Sequence, residues 1–397
     1  MAEFRTMRPG AQTPPAGPSR ARTSATWDVI VVGAGFAGLA CAKRAAERGL
    51  SVLVIDQQSS PGQHIHTTGI LVKEAQAEWA APPALVREIR RVRLYAPSHR
   101  HVDLHRDGYH FLATRTAALL AFLADQARRA GAEVRFGSPF TAATTANGTV
   151  ALAGHGDACR FLVGADGVHS RVARAMGLDR NTRLLKGVER EYEAADSDGD
   201  CLHCFVDGQR APGYIGWVVP GVGVTQVGLA VNDSRKPDLT SFVEHIDGRF
   251  GFSKRRVAAK RGGMIPVNGL LKTLHDDRVL LIGDAAGMVS PLTAGGIHLS
   301  YRFGKVAADA IADYLDRGAP HPGEVVKANY HAPRWKHFAR WCYDNLPVAA
   351  CMELGLRSGG LFARGAGKVF FGRHAPTRTA YAGSTDGLPV ADRKGLG

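Results

Sequence analysis

The chain has 397 residues, of which 45% are hydrophobic and 22% are charged. These fractions are ordinary for a globular enzyme, and the length predicts two lobes around a large core. The sequence has no run of roughly eighteen or more apolar residues, which excludes a membrane-spanning helix.

The net charge of +14 is the unusual bulk property. A positive charge attracts anionic lipid, nucleic acid or a phosphorylated substrate. Part of it lies near the N-terminus and the rest is dispersed, with no block of Lys and Arg interleaved with aromatic residues. We therefore predict no nucleic-acid binding. Peripheral contact with an anionic membrane is the alternative to a solvated basic surface.

The two ends of the chain have the composition of disordered tails. Residues 1–26 are rich in Pro, Ser, Ala and Arg and have no apolar segment, so we interpret them as a tail rather than a secretion signal. We interpret 376–397 as a second tail. Six scattered cysteines fit a reducing compartment, and we expect a cytoplasmic protein.

The cysteine and histidine patterns do not indicate a metal site. Cys201 and Cys204 form a CxxC, but no second pair stands at zinc spacing, so we interpret both as ordinary strand residues. His99, His101 and His105 alternate with other residues, which indicates an exposed sheet face.

The first predicted elements form a βαβ unit. Trp27–Val32 is a buried strand, a helix follows and ends at Gly49, and Leu50–Ile55 is a second strand that closes with Asp56. This unit stands where the globular part of the chain begins.

The next elements alternate between loops, strands and one long helix. Gln57–Ile70 is a loop, Arg91–Leu104 is a hairpin, and Thr114–Gly131 is an amphipathic helix. Ala132–Phe136 and Leu162–Val168 return to strand patterns, the second ending in a turn.

The pattern changes after about residue 182. Alternating apolar residues in Tyr214–Pro220 and Gly223–Val231 predict an antiparallel sheet. Arg278–Ile282 is again a buried strand, and the chain after Arg317 is mostly helical to about residue 375.

A GxGxxG motif lies between the first strand and its helix. Gly33 makes the tight turn, Gly35 lets backbone approach a pyrophosphate, and Gly38 lets the helix pack on the strand. Asp56 follows the next strand, where a carboxylate binds a ribose hydroxyl. Strand, helix and acid together predict a dinucleotide site.

Two later segments indicate a flavin. Asp166–Gly167 forms a turn that either caps the next helix or positions backbone for a phosphate. Gly283–Asp284 follows a buried strand, and Pro291 and Gly295–Gly296 lead into a helix-like run. A flavin ring needs closely approaching backbone and a helix N-terminus that faces negative charge, and this segment has both.

These elements together resemble the p-hydroxybenzoate-hydroxylase-like FAD superfamily. The resemblance implies that the GxGxxG and Asp56 hold the ADP part of FAD, and that Asp166–Gly167 lies near the pyrophosphate. It also implies that Gly283–Asp284 contacts the ribityl chain and the ring system. Arg115 matches a superfamily arginine that contacts FAD.

A narrower resemblance, to the geranylgeranyl reductase family, covers roughly 28–310. Residues 291–297 (PLTAGGI) are similar to the family's PLTGGGI, and Tyr214–Pro220 resembles its Tyr-x-Trp-x-Phe-Pro, with one extra residue and a valine for the phenylalanine. Gln63–Leu71 stands where the family has Lys-x-Cys-Gly-Gly-Gly. Here His66 replaces that cysteine and threonines replace two glycines.

The resemblance implies an α/β fold with a Rossmann-like FAD-binding domain, an inserted antiparallel-sheet substrate domain and a helical C-terminal region. The division that we predict is FAD-binding domain 27–90, 105–181 and 275–316, substrate domain 91–104 and 182–274, and helical region 317–375.

Three residues are candidates for substrate chemistry. His66 has the usual side chain for donating a proton near neutral pH, although a loop histidine is also simply solvated or bonded to backbone. Tyr214 and Trp217 either line a substrate cavity or are plain core.

The resemblance implies an FAD-dependent oxidoreductase that receives electrons from NADPH or NADH and acts on a hydrophobic substrate, isoprenoid or polycyclic. The first alternative is a monooxygenase that hydroxylates or epoxidises an aromatic or alkene. The second is an escort protein for prenylated partners that has no flavin.

The helical C-terminal region has aromatic residues among Arg and Lys. Trp335, Phe338, Trp341 and Leu346 fit a surface that lies on a membrane and admits a lipidic substrate. The alternative is a helical cap packed on the FAD lobe.

Overall fold

The computed structural model describes residues 26–195, 199–357 and 360–371. The predicted tails, apart from residue 26, and the last residues of the predicted helical region, 372–375, lie outside these ranges.

Strands and helices alternate through the first three quarters of the described chain. The strands are β1 Thr26–Val32, β2 Val52–Ile55, β3 Ile70–Val72, β4 Val86–Ile89, β5 Arg91–Tyr95, β6 His101–His105, β7 Phe111–Thr114, β8 Glu133–Arg135, β9 Ala143–Ala146, β10 Thr149–Leu152, β11 Ala158–Gly164, β12 Leu184–Glu193, β13 Cys201–Phe205, β14 Gly216–Pro220, β15 Val224–Asn232, β16 Val257–Pro266, β17 His275–Asp276 and β18 Val279–Leu281. The helices are α1 Phe36–Glu47, α2 Ala75–Glu78, α3 Thr116–Arg129, α4 Arg171–Ala175, α5 Leu239–Phe250, α6 Ile297–Arg317, α7 Pro322–Asn329, α8 Arg334–Asn345, α9 Val348–Arg357 and α10 Gly360–Phe371.

The first sheet has the strand order β17-β18-β11-β1-β2-β8, with the β9–β10 hairpin attached to β11. β1 pairs in parallel with both β2 and β11, and β11 pairs in parallel with β18. Val29, Ile30 and Val31 are fully buried, as expected for a parallel sheet covered on both faces. The predicted βαβ unit and the α/β fold class are confirmed.

The second sheet has the order β16-β12-β15-β14-β13-β5-β6 and is antiparallel except where β13 meets β5. Its strands confirm the hairpin predicted over 91–104 and the antiparallel pair predicted over 214–231. Cys201 and Cys204 are buried free thiols in β13, which confirms their interpretation as strand residues.

Helix α5 packs on one face of the second sheet and was not predicted. Its Phe242 and Ile246 enter a core with Tyr95 and Phe205, so this face is closed. The opposite face of the sheet borders a cavity.

A third, small sheet has the strand order β3-β7-β4. It was not predicted, because its strands have only three or four residues. β7 occupies the start of the predicted 114–131 helix, and α3 begins at Thr116.

The histidines of the β5–β6 hairpin divide into two groups. His101 and His105 are exposed on β6, as predicted. His99 is not on that face: it lies in the turn with φ 63°, and its Nε2 is 2.9 Å from His245 Nε2. The exposed-face prediction is therefore wrong for His99, because the hairpin turn takes this residue off the strand.

The C-terminal helices α7–α10 confirm the predicted helical region. α8 contacts the segment before β14, where Tyr343 Oη donates to Tyr214 O over 2.5 Å, and α9 contacts the β5–β6 turn, where Glu353 accepts from the backbone N–H of Ser98. α10 packs Phe371 against Tyr109. Side chains of these three helices line the cavity.

Candidate active site

A cavity of about 1330 Å³ lies between the two large sheets and the C-terminal helices. Its wall includes the GxGxxG turn, the 64–70 loop, the open face of the second sheet and side chains of α8–α10. Sites for one small molecule usually have roughly 300–1,000 Å³. The cavity therefore has room for a cofactor and a second ligand together.

The GxGxxG turn has the geometry of a phosphate cradle. A Cβ on Gly33, whose φ is +106°, would lie 2.3 Å from Ala165 O, and one on Gly38 would lie 1.9 Å from Gly33 O. Only glycine fits either position. A Cβ on Gly35 would meet no protein atom within 4 Å. Gly35 thus leaves open space at the N-terminus of α1, whose unpaired N–H groups attract an anion.

Asp56 lies at the end of β2 on the cavity wall. Its Oδ2 accepts from Ala34 N over 2.6 Å, and its Oδ1 accepts from Gln58 N over 2.8 Å. Each carboxylate oxygen keeps a lone pair for a further donor, so Asp56 can also accept a hydrogen bond from a ligand.

Asp166 caps the short helix α4. It accepts from Ser170 Oγ and Arg171 N, each over 2.6 Å, and burial raises the pKa of its carboxyl despite these hydrogen bonds. Gly167 has φ +80° and open space where a Cβ would be, and both residues line the cavity. Of the two predicted roles, the capping role is therefore observed, while the neighbouring backbone is open to a ligand.

Gly283 and Asp284 begin a 3-10 turn directly after β18. A Cβ on Gly283, whose φ is +62°, would lie 2.8 Å from Ala37 Cβ. The carboxyl of Asp284 lines the cavity, and burial raises its pKa to about 6. This pair therefore brings a weakly acidic carboxyl beside the α1 turn.

The 291–297 segment turns back on itself before α6 begins at Ile297. Gly295 and Gly296 line the cavity, whereas Pro291 is buried behind them. Gly296 is the N-cap of α6 and makes no side-chain cap. At the N-terminus of α6, the two glycines therefore line the cavity and the proline does not.

Arg115 is a predicted cofactor residue that, like Pro291, does not line the cavity. It is exposed at the N-cap of α3, and its N–H donates to Leu85 O over 2.9 Å. The cavity wall contains Thr116 beside it but not Arg115. Contact with FAD through Arg115 stays a prediction.

His66 lies on the cavity wall and is bonded to backbone. Its Nδ1 is 2.9 Å from Gly262 O on β16, so Nδ1 carries the proton and Nε2 is the free ring nitrogen. A Cβ on Gly263 would lie 2.6 Å from His66 O, so the loop needs glycine beneath it. Both alternatives for His66 are therefore compatible with its position.

The Tyr-x-x-Trp segment meets the 291–297 turn. Tyr214 Oη donates to Thr293 O over 2.6 Å, and burial raises the pKa of the Tyr214 hydroxyl. Trp217 is buried, and its Nε1 donates to Glu189 Oε2 over 2.9 Å. Both side chains line the cavity, so neither is plain core.

Two groups of cavity residues were missed from the sequence. Glu189 and Arg261 stand opposite each other on β12 and β16 and form a polar patch in the wall. Their strands carry no motif, and only the alternation of charge along β12 indicates that some acids face inward. The second group belongs to the apolar roof, which consists of Phe338, Cys342, Tyr343, Leu346, Met352, Phe362 and Phe370. Of these, Phe338 and Leu346 were predicted as part of a surface that admits a lipidic substrate, and the other five were missed.

Within the described ranges, no group of three or more His, Cys, Asp or Glu side chains could hold a metal ion. Within the same ranges, no helix has both the length and the apolar character needed to cross a bilayer.

Comparison with known proteins gives the family. The FAD binding domain family matches residues 26–320. Digeranylgeranylglycerophospholipid reductase 2 of Methanopyrus kandleri is 31% identical over 319 residues, which cover 73% of this chain and 78% of the relative. The chain belongs to the geranylgeranyl reductase family of FAD-dependent oxidoreductases.

Solved structures share the fold of this geranylgeranyl reductase family member. A geranylgeranyl bacteriochlorophyll reductase-like protein from Thermoplasma acidophilum superposes with a TM-score of 0.74 at 23% identity, over 81% of this chain and 88% of that one. PqsL of Pseudomonas aeruginosa, a probable FAD-dependent monooxygenase, has a TM-score of 0.62 at 17% identity, over 81% and 97%. The predicted family, fold and FAD-dependent enzyme class are confirmed, and the likeness to PqsL extends to the fold alone.

Proposed function

We propose that this protein uses FAD to reduce carbon–carbon double bonds in a long isoprenoid chain. The observation that carries this proposal is the continuity of the cavity, which joins the glycine cradle to an apolar space large enough for a second ligand. The apolar wall of that space, away from the cradle, includes Leu94, Phe111, Leu202, Val206, Ile215, Met264 and Ile265. The names of the curated relatives support the isoprenoid class of substrate.

The residues around the cradle fit FAD. We propose that the Gly33–Gly38 turn and the α1 N-terminus hold the pyrophosphate, that Asp56 accepts from a ribose hydroxyl, and that Asp284 accepts from the ribityl chain. Gly295 and the α6 N-terminus would lie by the part of the ring that becomes negative on reduction. Bound FAD would supply the hydride, and the protein would orient it and exclude water.

On the substrate side we propose roles for His66, Tyr214 and Trp217. With Nδ1 bonded to Gly262 O, the free Nε2 of His66 is the ring atom that can carry a proton to the ligand. Tyr214 and Trp217 shape the wall between the 291–297 turn and the second sheet. We propose NADPH or NADH as the electron donor, since nicotinamide cofactors are the usual hydride source for flavins.

We further propose that the substrate enters from a membrane surface through the roof. Trp335, Phe338, Trp341, Leu346 and Leu354 have between 41% and 67% of their surface exposed, although they are large and apolar. We call these five residues the apolar rim. Phe338 and Leu346 also line the cavity, so the rim is continuous with the proposed substrate space. Such a rim beside cationic side chains is typical of proteins that rest on an anionic bilayer.

Anaerobic turnover tests the proposed reaction. The protein is loaded with FAD, reduced without oxygen, and mixed with geranylgeraniol while flavin absorbance is followed. We expect the flavin to reoxidise without oxygen and the product to gain two hydrogen atoms, as seen by mass spectrometry. Reoxidation that requires oxygen, with an oxygen atom in the product, would instead support the monooxygenase. A colourless preparation that takes up no FAD would contradict both.

A further inference from the structure

The polar patch in the cavity wall is a row of residues across four neighbouring strands, β14, β15, β12 and β16. Trp217 on β14 stands opposite Gly228 on β15, Gly228 stands opposite Glu189 on β12, and Glu189 stands opposite Arg261 on β16. Because Gly228 has no side chain, the indole of Trp217 crosses β15 and reaches Glu189. A Cβ on Gly228 would lie 2.5 Å from the Trp217 ring.

Glu189 is only 4% exposed, and half of its carboxyl lacks a hydrogen bond. Oε2 accepts from Trp217 Nε1 over 2.9 Å. Oε1 lies 3.6 Å from Arg261 Nη1, too far for a hydrogen bond, and no described group reaches it with hydrogen-bond geometry. The Thr68 hydroxyl is the nearby protein group that also lowers the pKa of this carboxyl. A buried carboxylate oxygen without a donor is costly, and Glu189 lines the cavity. A hydrogen-bond donor on the ligand would therefore satisfy Oε1.

The charge of the patch disfavours an anionic ligand group at this position. Arg261 Nη2 contacts Glu191 directly, and Arg261 Nη1 donates to Thr67 O over 3.3 Å, so the guanidinium is committed to the protein. One guanidinium stands against the two carboxyls of Glu189 and Glu191. Burial raises the pKa of Glu189, while Arg261 and the hydrogen bond from Trp217 lower it. A phosphate would find no surplus positive charge here.

We propose that Glu189 Oε1 accepts a hydrogen bond from a hydroxyl of the substrate, so that the cavity selects a neutral isoprenoid alcohol over its phosphorylated form. The inference rests on the proposed function, since it needs a long apolar substrate in this space. It separates the chain from relatives whose names specify a glycerophospholipid.

Calorimetric titration of the FAD-loaded protein tests this selection without turnover. The ligands are geranylgeraniol, its methyl ether, geranylgeranylamine and geranylgeranyl diphosphate. The ether has the same chain but no donor, so we expect the alcohol to bind about tenfold or more tightly than the ether, as for a hydrogen bond to a charged acceptor. We expect the diphosphate to bind more weakly than the alcohol.

A matched pair of variants assigns the effect to Glu189. In Glu189→Gln the amide oxygen takes the Trp217 bond and the NH₂ group occupies the Oε1 position, so the preference for alcohol over ether should fall to about one. Glu193→Gln makes the same change at the exposed end of β12, where Glu193 pairs with Arg256, and should keep the wild-type preference. Retained FAD absorbance reports that each variant is folded.

Several outcomes would overturn the inference. Equal affinity of wild type for alcohol and ether means that water or the Thr68 hydroxyl satisfies Oε1. Tighter binding of the diphosphate or the amine means that the patch reads charge and not a hydroxyl. In these cases the proposed function stands, because the chain still enters the cavity. If no geranylgeranyl compound binds, the proposed function fails as well. The ligand series on wild type decides the matter even if Glu189→Gln does not fold.

Discussion

At the scale of single residues, the glycines of the GxGxxG turn have different structural roles. Alanine variants of Gly35 and Gly38 distinguish an effect on FAD binding from an effect on stability. Gly35→Ala adds a methyl group where no protein atom lies within 4 Å, at a φ of −82° that alanine adopts freely. The FAD-free protein should keep its stability, while the methyl group intrudes on the proposed pyrophosphate site. We expect the affinity for FAD to fall at least about tenfold, a loss of about 1.4 kcal/mol in binding, measured by titrating the FAD-free protein with FAD.

Gly38→Ala is the matched variant at the same turn. Its methyl group would lie 1.9 Å from Gly33 O, so α1 must move away from β1. We expect the FAD-free protein to lose about 2–3 kcal/mol of unfolding free energy, as for overpacked sites. Urea unfolding measures this loss. Equal effects of the two variants on the FAD-free protein would contradict the division of roles.

Asp284 predicts a pH dependence of the FAD-free protein. Burial raises the pKa of its carboxyl from 3.8 to about 6, so the folded state holds this proton more tightly than the unfolded chain does. Stability that depends on this proton is present at about pH 4 and is lost as the pH rises to about 6. Asp284→Asn has no such loss. The variant should gain about 1–3 kcal/mol over wild type near pH 7 and nothing near pH 4.

Urea unfolding at a series of pH values measures the Asp284 effect. Asp316→Asn is the control, since Asp316 is exposed on α6 and away from the cavity wall. Its difference from wild type should stay flat over the same range. A flat difference for Asp284→Asn would show that its carboxyl is as solvated in the fold as in the unfolded chain.

At the scale of elements, Arg340 joins α8 to the segment that leads into β14 of the second sheet. The side chain is 2% exposed, its Nη2 donates to Gly213 O over 2.5 Å, and its Nε is 3.0 Å from Asp344 Oδ1. Arg340→Met leaves Asp344 with Arg183 as its remaining ion pair. We expect a local loss of about 3 kcal/mol, near the low end for a broken buried pair.

Hydrogen exchange by mass spectrometry measures the Arg340→Met effect. Amides of α8–α10 should exchange faster, while β1 and β11 keep wild-type protection, because the roof opens without the parallel sheet. Arg334→Met changes an exposed arginine at the start of the same helix and should leave the pattern unchanged. Uniform faster exchange in both sheets would mean that the roof and the sheets unfold together.

The elements that the sequence predicted are those with local causes. The βαβ unit follows from a buried run, a glycine turn that tolerates no Cβ at Gly33 or Gly38, and a second buried run. The antiparallel strands follow from alternation. Helix α5 also has local signals in the sequence, although it was not predicted. The Asp238 side chain accepts from Ser241 N at its start, and Gly251 ends it with φ 63°. The strands of the small third sheet are too short for an alternating pattern to predict them.

The polar patch was not predictable in the same way. Trp217, Glu189 and Arg261 are far apart in the chain, and they meet only because β14, β15, β12 and β16 pair in one register. A shift by one residue would turn each side chain to the other face. The same holds for the roof, where Phe338 and Phe370 line the cavity through helix docking that no local pattern specifies.

At the scale of the whole molecule, the proposed membrane contact rests on the net charge of +14 together with the apolar rim. In this proposal, cationic side chains attract an anionic bilayer and the exposed aromatic rings enter its interface. Phe338 is 66% exposed and Trp341 is 54% exposed, and their rings stack with centroids 6.1 Å apart. We expect co-sedimentation with phosphatidylglycerol vesicles, weaker recovery with phosphatidylcholine, and loss of binding at high salt.

Serine variants locate this binding on the rim. The double variant Phe338→Ser and Trp341→Ser should weaken vesicle binding by about tenfold or more, since each ring loses part of the burial energy of a large apolar side chain. Val257→Ser is the control, because Val257 is a similarly exposed apolar side chain on β16, outside the roof. Equal recovery of wild type with and without anionic lipid would mean that α8–α10 form a cap and no more. Binding that survives the double variant would place the contact elsewhere on the basic surface.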